Sequence, residues 1–391
     1  MKTPRRTTAL LGIAAAVLLA TTACSGGLLG GDSEPDGEAE AGPIKIGMVI
    51  PISGSSAPTG AYMENGAQLA VNEINDAGGI LDGRMLELLV EDEACDAQQG
   101  VASANKLVSS EVVVSVGGYC SGATLPQLPI FGGANVPMII PAANSQDLVR
   151  EGLDNVFLIN GTGLQQSTAA LDFITKSGYT MVALVDDNTS YSTDITTETE
   201  SQITEDGTAE VVLNTSVNAG ESDYSAVVRD ITGSGAEIVY WTGYYQEGGL
   251  IVDQLRQAGY TGDIMVADGS ADATLAEIAG DAAEGVFATM TPTPDTLEGA
   301  EEWIANYEAE FDAAPGPYST QSYDAVRLAA EAIETAGSTD GDEIIAALEG
   351  ISGFDMFSGP LEFTDEHTLS NGGFVILKME GGKFILEDSL S

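Results

Sequence analysis

From residue 44 onward, short runs rich in valine and isoleucine alternate with segments whose apolar residues recur at helical spacing. This alternation is typical of βαβ units, in which helices cover the faces of a parallel sheet. One series runs from a predicted strand at 44–50 to another at 137–140, and a second series of the same kind begins after residue 163. The pattern predicts an α/β protein with two Rossmann-like lobes, each built on a parallel-sheet core.

The last third of the chain belongs to neither series alone. Two predicted helices follow the segment 292–294, and three strand-like stretches, 359–364, 372–380 and 381–387, come after them. We therefore expect each lobe to be made of two chain segments joined by a three-strand hinge. The predicted boundaries are 44–161 plus 292–369 for lobe 1 and 162–291 plus 370–391 for lobe 2, with hinge positions near Thr162, Thr291 and Ser370.

The amino-terminal segment reads as an export signal. Three basic residues within the first six precede an apolar run at 9–20, which ends in small residues before Cys24. This order is typical of a signal peptide, and the run is too short to span a bilayer, which takes about 20 residues. We expect residues 1–23 to be removed and the mature protein to lie outside the cytoplasm.

Cys24 and the residues just before it are similar to the lipobox of bacterial lipoproteins, although Thr21 stands where leucine is usual. The resemblance implies a lipid on Cys24 that anchors the protein to the outer face of the cytoplasmic membrane. Residues 24–43 are rich in glycine, acidic residues and proline, which is typical of a flexible tether. The alternative is an ordinary secretory peptide with a cysteine there by chance.

The other two cysteines, Cys95 and Cys120, form an even pair in an exported chain. Cysteines of exported proteins usually pair in disulfides, so a Cys95–Cys120 bond is expected, with two buried free thiols as the alternative.

The net charge of −47 comes from 60 acidic residues against 13 basic ones. It argues against nucleic acid as a partner and against adhesion to an anionic membrane other than through the lipid. The acidic residues are spread over nearly all predicted helices, which indicates a solvated surface and not a recognition patch. A high-salt habitat accounts for the charge equally well.

Ligands of open parallel sheets bind beyond the carboxyl ends of the strands, and polar or aromatic residues gather there. The small-residue turn 117–124 opens a helix and could bind a carboxylate, or its glycines could simply form a tight turn. Asp268 lies among small uncharged neighbours and could pair with a buried ammonium group, or it could cap a helix. Tyr191 and Tyr244 could wall an apolar side chain or close the core.

In its order of motifs, the sequence resembles the leucine/isoleucine/valine-binding branch of the type I periplasmic binding proteins. The resemblance covers 44–385 and rests on IKIGMVIPISG, AVNEINDAGGI, EDEACDAQQGVASANKLV, GGYCSGATLP, VYWTGYYQEGG and AEIAGDAAEG. It implies a protein that closes on an amino acid between two lobes by a hinge movement and delivers it to the permease and ATPase subunits of an ABC importer. No cofactor, no metal and a monomeric state are expected.

The resemblance also implies roles for individual residues. Ser121 is expected to bind the ligand carboxylate, the carbonyl of Ala143 and the side chain of Asn144 to serve the ammonium group, and Asp268 to pair with it from the other lobe. The expected ligand-binding set is Tyr119, Ser121, Ala143, Asn144, Tyr191, Tyr244 and Asp268. Two residues depart from the family pattern. Thr59 stands where an aromatic residue is common, and Tyr119 stands where a smaller apolar residue is common. The resemblance therefore does not predict which ligand side chain is preferred.

Other functional classes receive little support. The single histidine, His367, lies in a polar turn, and neither a nucleophile elbow, a zinc motif nor a phosphate-binding loop is found. We therefore expect no catalytic residues and no enzyme activity. A binder of amides, urea or other small carboxylates and a ligand sensor share the same cleft and remain alternatives.

Overall fold

The protein is described by a computed structural model that covers residues 42–388. The predicted signal peptide, the lipid-bearing Cys24 and nearly all of the tether lie outside the described residues.

Within residues 42–388, fourteen strands alternate with twelve α-helices. The strands are β1 Ile44–Ile50, β2 Leu86–Asp92, β3 Val114–Ser115, β4 Met138–Ile140, β5 Val156–Leu158, β6 Met181–Asp186, β7 Glu210–Ser216, β8 Ile238–Trp241, β9 Asp263–Val266, β10 Phe287–Met290, β11 Asp355–Met356, β12 Gly359–Pro360, β13 Val375–Glu380 and β14 Lys383–Asp388. The helices are α1 Ala57–Asp76, α2 Ala97–Ser109, α3 Ser121–Thr124, α4 Leu128–Gly133, α5 Gly163–Ser177, α6 Ser190–Asp206, α7 Ser225–Ser234, α8 Tyr245–Gln257, α9 Ala273–Ala279, α10 Glu301–Phe311, α11 Ser319–Ala336 and α12 Gly341–Gly350.

The strands form two main sheets. The first has the order β2-β1-β3-β4-β5 and is parallel throughout. The second has the order β14-β13-β10-β9-β8-β6-β7, in which only β13 runs opposite to the other strands, so that its pairings with β10 and β14 are antiparallel. The predicted α/β architecture of two Rossmann-like lobes with parallel-sheet cores is confirmed. We call the first sheet with its helices lobe 1 and the second lobe 2.

The last third of the chain contributes to both lobes. Helix α11 packs against α1 in lobe 1, whereas β13 and β14 extend the sheet of lobe 2. The chain therefore passes between the lobes after β5, after β10 and before β13. The residue boundaries and hinge positions given above stay predictions.

Two segments of the first series are less regular than their sequences suggest. The run VVVSVGG at 112–118 has the composition of a strand, but it is regular only at β3, although Val116 still donates its backbone N–H to Gly47 at 2.8 Å. The segment 123–132 is not one helix but is divided among α3, a 3₁₀ turn and α4. Pro126 and Pro129 lie in this segment, and proline lacks the N–H that a continuous helix needs.

A few backbone features place the strand-end turns. Helix α5 begins with a capping box, in which the Thr162 side chain accepts from the backbone of Gln165 and the Gln165 side chain accepts from the backbone of Thr162. A Cβ on Gly117 would lie 2.4 Å from the backbone nitrogen of Val49, so the turn after β3 approaches β1 too closely for a larger residue. The close approach to β1 explains why residue 117 is glycine, whether or not a ligand binds there.

Within 42–388, no helix combines the length and the apolar character needed to cross a membrane.

Candidate functional site

The residues predicted at strand ends come from both lobes. In lobe 1, Tyr119 and Ser121 follow β3, and Ala143 and Asn144 follow β4. In lobe 2, Tyr191 lies at the start of α6, which follows β6, and Tyr244 and Asp268 follow β8 and β9. Six of these seven residues are buried and Tyr244 is half-buried.

The structure brings the residues of the two lobes together around Asp268. The Nδ2 atom of Asn144 lies 3.4 Å from Oδ2 of Asp268, and the phenol of Tyr191 donates to Oδ1 at 2.6 Å. The ring of Tyr119 lies 5.9 Å from that of Tyr244, which in turn lies 5.1 Å from the ring of Tyr191. Asn144, Tyr119, Tyr191, Tyr244 and Asp268 therefore form one cluster between the carboxyl ends of the two sheets.

Ser121 and Ala143 lie beside this cluster and make backbone contacts. The hydroxyl oxygen of Ser121 accepts the N–H of Ser145 at 3.3 Å, and Ala143 donates its N–H to the carbonyl of Gly118 at 3.0 Å. A serine that accepts one hydrogen bond keeps its hydroxyl proton for an acceptor. The predicted roles of Ser121 and Ala143 toward a ligand stay predictions.

Two further residues contact Asp268 that the sequence interpretation did not include. Gln166, in the second turn of α5, donates from Nε2 to Oδ1 of Asp268 at 2.8 Å and to the hydroxyl of Thr289 at 2.9 Å. Tyr318, just before α11, donates its phenol to Oδ2 of Asp268. The capping box before Gln166 and the proline-glycine segment before Tyr318 mark helix starts, but neither signal indicates a contact with Asp268.

The Asp268 carboxylate thus receives four side-chain donors in a buried position. Burial raises the pKa of Asp268, and the bonds from Tyr191, Tyr318 and Gln166 oppose this effect. Among the described residues, no lysine or arginine forms an ion pair with Asp268. A buried carboxylate without a cation is costly, so the site favours a positively charged partner.

A neighbouring atom also lacks a partner. Asn144 is 1% exposed and donates from Nδ2 to Oε1 of Gln166 at 2.9 Å as well as to Asp268. Its Oδ1 atom is buried and has no hydrogen-bond partner among residues 42–388. A buried acceptor of this kind costs about 1–3 kcal/mol unless a donor reaches it. Asn144 and Asp268 therefore both present acceptor atoms within this buried cluster.

Four tyrosines, Tyr119, Tyr191, Tyr244 and Tyr318, form the walls of the cluster. Burial raises the pKa of each well above its ordinary value, so all four phenols stay neutral at physiological pH. Gly269 belongs to the same arrangement, because a Cβ there would lie 2.9 Å from the Tyr191 hydroxyl. The walls are apolar on the ring faces and polar at the phenolic oxygens.

The Tyr119 hydroxyl points to the part of the cleft formed by α1. The phenol of Tyr119 forms a hydrogen bond with the buried Thr59 side chain. This bond lowers the pKa of Tyr119, but the larger effect of burial raises it. Tyr245 also crosses the cleft and donates to the carbonyl of Ser55 at 2.7 Å. Thr59 and Tyr119, the two positions singled out in the sequence, are therefore neighbours.

The structure joins Cys95 and Cys120 in a disulfide, with their Cα atoms 5.2 Å apart. Cys120 directly precedes Ser121, so the bond ties the turn after β3 to the segment that follows β2. A cross-link at this place restrains the turn that carries the predicted carboxylate site.

Two parallel-sheet lobes that bring acceptors and aromatic walls together between their strand ends define a solute-binding protein. The sequence profile of the periplasmic binding protein family matches residues 43–383, and the chain belongs to this family.

Several relatives match most of the chain. The Leu/Ile/Val-binding protein homolog 1 of Brucella abortus is 33% identical over 87% of this chain and 91% of its own length. The leucine-, isoleucine-, valine-, threonine-, and alanine-binding protein of Pseudomonas aeruginosa is 32% identical over 85% of this chain and 89% of its own.

Solved structures give the same result for the fold. The substrate binding protein of the branched-chain amino acid transporter of Streptococcus pneumoniae, determined in complex with isoleucine, superposes with a TM-score of 0.80 at 28% identity. It is matched over 88% of this chain and 97% of its own. A leucine binding protein of Thermotoga maritima reaches a TM-score of 0.81 at 25% identity, with the same coverage.

Proposed function

We propose that this protein is the extracytoplasmic solute-binding component of an ABC importer and that it captures an amino acid with a small apolar side chain, foremost a branched-chain amino acid. Capture takes place by closure of the two lobes and involves no covalent chemistry. The observation that carries this proposal is the buried Asp268 carboxylate, which has four neutral donors but no described cation, beside the unpaired Oδ1 atom of Asn144.

The ligand's ammonium group supplies what these two residues lack. Its positive charge compensates Asp268, and its three N–H groups reach Oδ2 of Asp268, Oδ1 of Asn144 and the carbonyl of Ala143. Because Asn144 and Ala143 belong to lobe 1 and Asp268 to lobe 2, such a ligand stabilises the closed form over the open form.

The carboxylate end of the ligand is assigned to Ser121 and the side chain to the tyrosine walls. Ser121 keeps a hydroxyl proton for donation because its oxygen already accepts from Ser145. The leucine-, isoleucine-, valine-, threonine- and alanine-binding relative of Pseudomonas aeruginosa and the isoleucine complex of the Streptococcus pneumoniae relative support an amino acid with a small, mostly apolar side chain.

Delivery requires a permease and its ATPase subunits, and we propose that the protein acts as a monomer held at the membrane by a lipid on Cys24. The placement rests on the sequence before and after Cys24. Replacement of Cys24 by serine is expected to move the protein from the membrane fraction to the medium, whereas retention in the membrane fraction would contradict the lipid anchor.

A ligand panel tests the proposed function. Calorimetric titrations compare leucine, isoleucine, valine and alanine with 4-methylpentanoate, which lacks the ammonium group, with 3-methylbutylamine, which lacks the carboxylate, and with urea and small amides. The account predicts binding of at least one amino acid and at least tenfold weaker binding of both truncated analogues. Binding of 4-methylpentanoate as tightly as leucine would contradict the proposed ammonium site. Selective binding of urea or an amide would contradict the proposal that the ligand is an amino acid.

A further inference from the structure

Glu93 lies directly behind the turn that carries Ser121. It follows β2 and is fully buried, and its Oε1 atom accepts the backbone N–H of Cys120 at 3.1 Å. Its Oε2 atom accepts from Nε2 of Gln127 at 3.1 Å, and the same amide donates to the carbonyl of Ala123 at 2.9 Å. One carboxyl group therefore holds the turn on both sides of Ser121.

The charge of Glu93 has no described counterion. No lysine or arginine among residues 42–388 forms an ion pair with it, and its titratable neighbours are Asp92 and the phenol of Tyr244. The charge of Glu93 helps to raise the pKa of Tyr244, so it acts on the cleft itself.

A metal does not explain this carboxyl group. Ligand atoms of Glu93, Cys95 and Cys120 lie within 4.8 Å of one another. The two sulfurs are bonded to each other, and thiolates are the form in which cysteines bind metals. The contacts of Glu93 thus point to the turn and to the cleft beyond it.

We propose that Glu93 is a positioning residue for the ligand carboxylate and that carboxylate binding at Ser121 is coupled to the uptake of a proton by Glu93. This inference rests on the proposed function. The ligand carboxylate would bind at the residue next to the amide that Glu93 holds, and it would bring a second negative charge toward a buried carboxyl group. Two close carboxylates in a buried place cannot both be ionised without cost, and protonation of Glu93 removes this cost.

The sign of the pH effect follows from burial. Burial raises the pKa of Glu93 to about 8, above the value of 4.5 for an ordinary glutamate. A bound carboxylate raises it further, so the liganded protein holds more protons than the free protein around pH 8. Affinity is therefore expected to fall as the pH rises through 8, because ionised Glu93 repels the ligand.

Glu93→Gln removes the charge and keeps an oxygen for the N–H of Cys120. Glu237→Gln is the matched control, because Glu237 also accepts backbone N–H groups, from Thr180 and Met181. Glu237 is exposed and lies just before β8, at the opposite end of this strand from the cleft. The ligand's own ammonium titration is common to all variants, so the comparison between variants isolates Glu93.

The experiment is calorimetric titration of the full chain with the best-binding amino acid at pH 7, 8 and 9, in buffers of different ionisation enthalpy. The affinity of the wild type and of Glu237→Gln is expected to fall about fivefold more than that of Glu93→Gln between pH 7 and 9, since a shift of one pKa unit corresponds to about tenfold. At pH 8, these two proteins should also take up more protons per ligand than Glu93→Gln.

Equal pH profiles and equal proton numbers for Glu93→Gln and the wild type would overturn the inference and leave the proposed function intact. Failure of the wild type to bind any amino acid would overturn the proposed function itself. If Glu93→Gln does not fold, Gln127→Met serves instead, because loss of one donor to Glu93 is expected to move the midpoint of the affinity loss to higher pH. An unchanged midpoint in Gln127→Met would overturn the inference.

Discussion

Asn144 and Asp268 meet between the two sheets, where Nδ2 of the amide lies 3.4 Å from Oδ2 of the carboxylate. Asn144 follows β4 of lobe 1 and Asp268 follows β9 of lobe 2. The contact joins the carboxyl ends of both sheets, and it leaves Oδ1 of Asn144 without a partner among the described residues. Any ligand donor that serves both side chains therefore has to bridge the lobes.

Ligand affinity is expected to fall at acidic pH. Burial raises the pKa of Asp268, and an ammonium ligand lowers it again because it favours the charged carboxylate. Near the pKa of Asp268, binding therefore releases a proton from this residue, and affinity is lost as the pH falls through the pKa that Asp268 has in the unliganded protein. Titrations at decreasing pH check this, and an affinity that rises under acidic conditions would contradict the assignment.

Tyr318→Phe is expected to weaken amino-acid binding at neutral pH by about 1.5–3 kcal/mol, the range for a hydrogen bond to a charged group. The variant removes the phenol that donates to Oδ2 of Asp268. Without this donor, the pKa of Asp268 should rise further, so the acid loss of affinity should begin at higher pH. Tyr260→Phe is the control, because Tyr260 donates to the carbonyl of Ala236 within lobe 2. Similar affinity losses in both variants would contradict a specific role for Tyr318.

Tyr119→Leu is expected to shift the ligand preference toward larger side chains. The Tyr119 ring lies 5.7 Å from Tyr318 and 5.9 Å from Tyr244, so it takes up space between walls from both lobes. Leucine frees part of this space and removes the phenol beside Thr59. The ratio of the affinities for leucine and alanine should rise about tenfold, since a methylene in an apolar pocket contributes about 1–3 kcal/mol. An unchanged ratio would place the ligand side chain elsewhere.

Loss of the Cys95–Cys120 disulfide is expected to lower the free energy of unfolding by about 3 kcal/mol. The two cysteines are 25 residues apart, and closure of a loop of this length restricts the unfolded chain by about that amount. Urea unfolding of the double alanine variant, compared with the wild type with and without reductant, measures the effect. An unchanged midpoint for the variant and for the reduced protein would contradict it.

Sequence patterns predicted the two sheets because apolar strand runs and helical periodicity are local properties. They also led to Asp268, Asn144 and Tyr191, since ligand residues of parallel sheets follow strand ends. Gln166 was missed because it lies inside α5, where a buried amide has no distinguishing pattern. Tyr318 was missed because a loop 50 residues farther along the chain brings it to Asp268. Such contacts depend on how the lobes pack, which local sequence does not specify.

The central claim is that Asp268 binds the ammonium group of an amino acid. Calorimetry with the best amino acid from the panel should compare the wild type with Asp268→Ala and with Asp263→Asn. Asp263 is the matched control, because it is the first residue of β9, the strand that Asp268 follows, and accepts a hydrogen bond from the phenol of Tyr179 at 2.6 Å. It lies at the end of β9 that is away from the cleft. The account predicts that Asp268→Ala loses at least 3 kcal/mol of binding free energy, as expected for a broken buried ion pair, while Asp263→Asn binds like the wild type. Unchanged binding by Asp268→Ala would contradict the account.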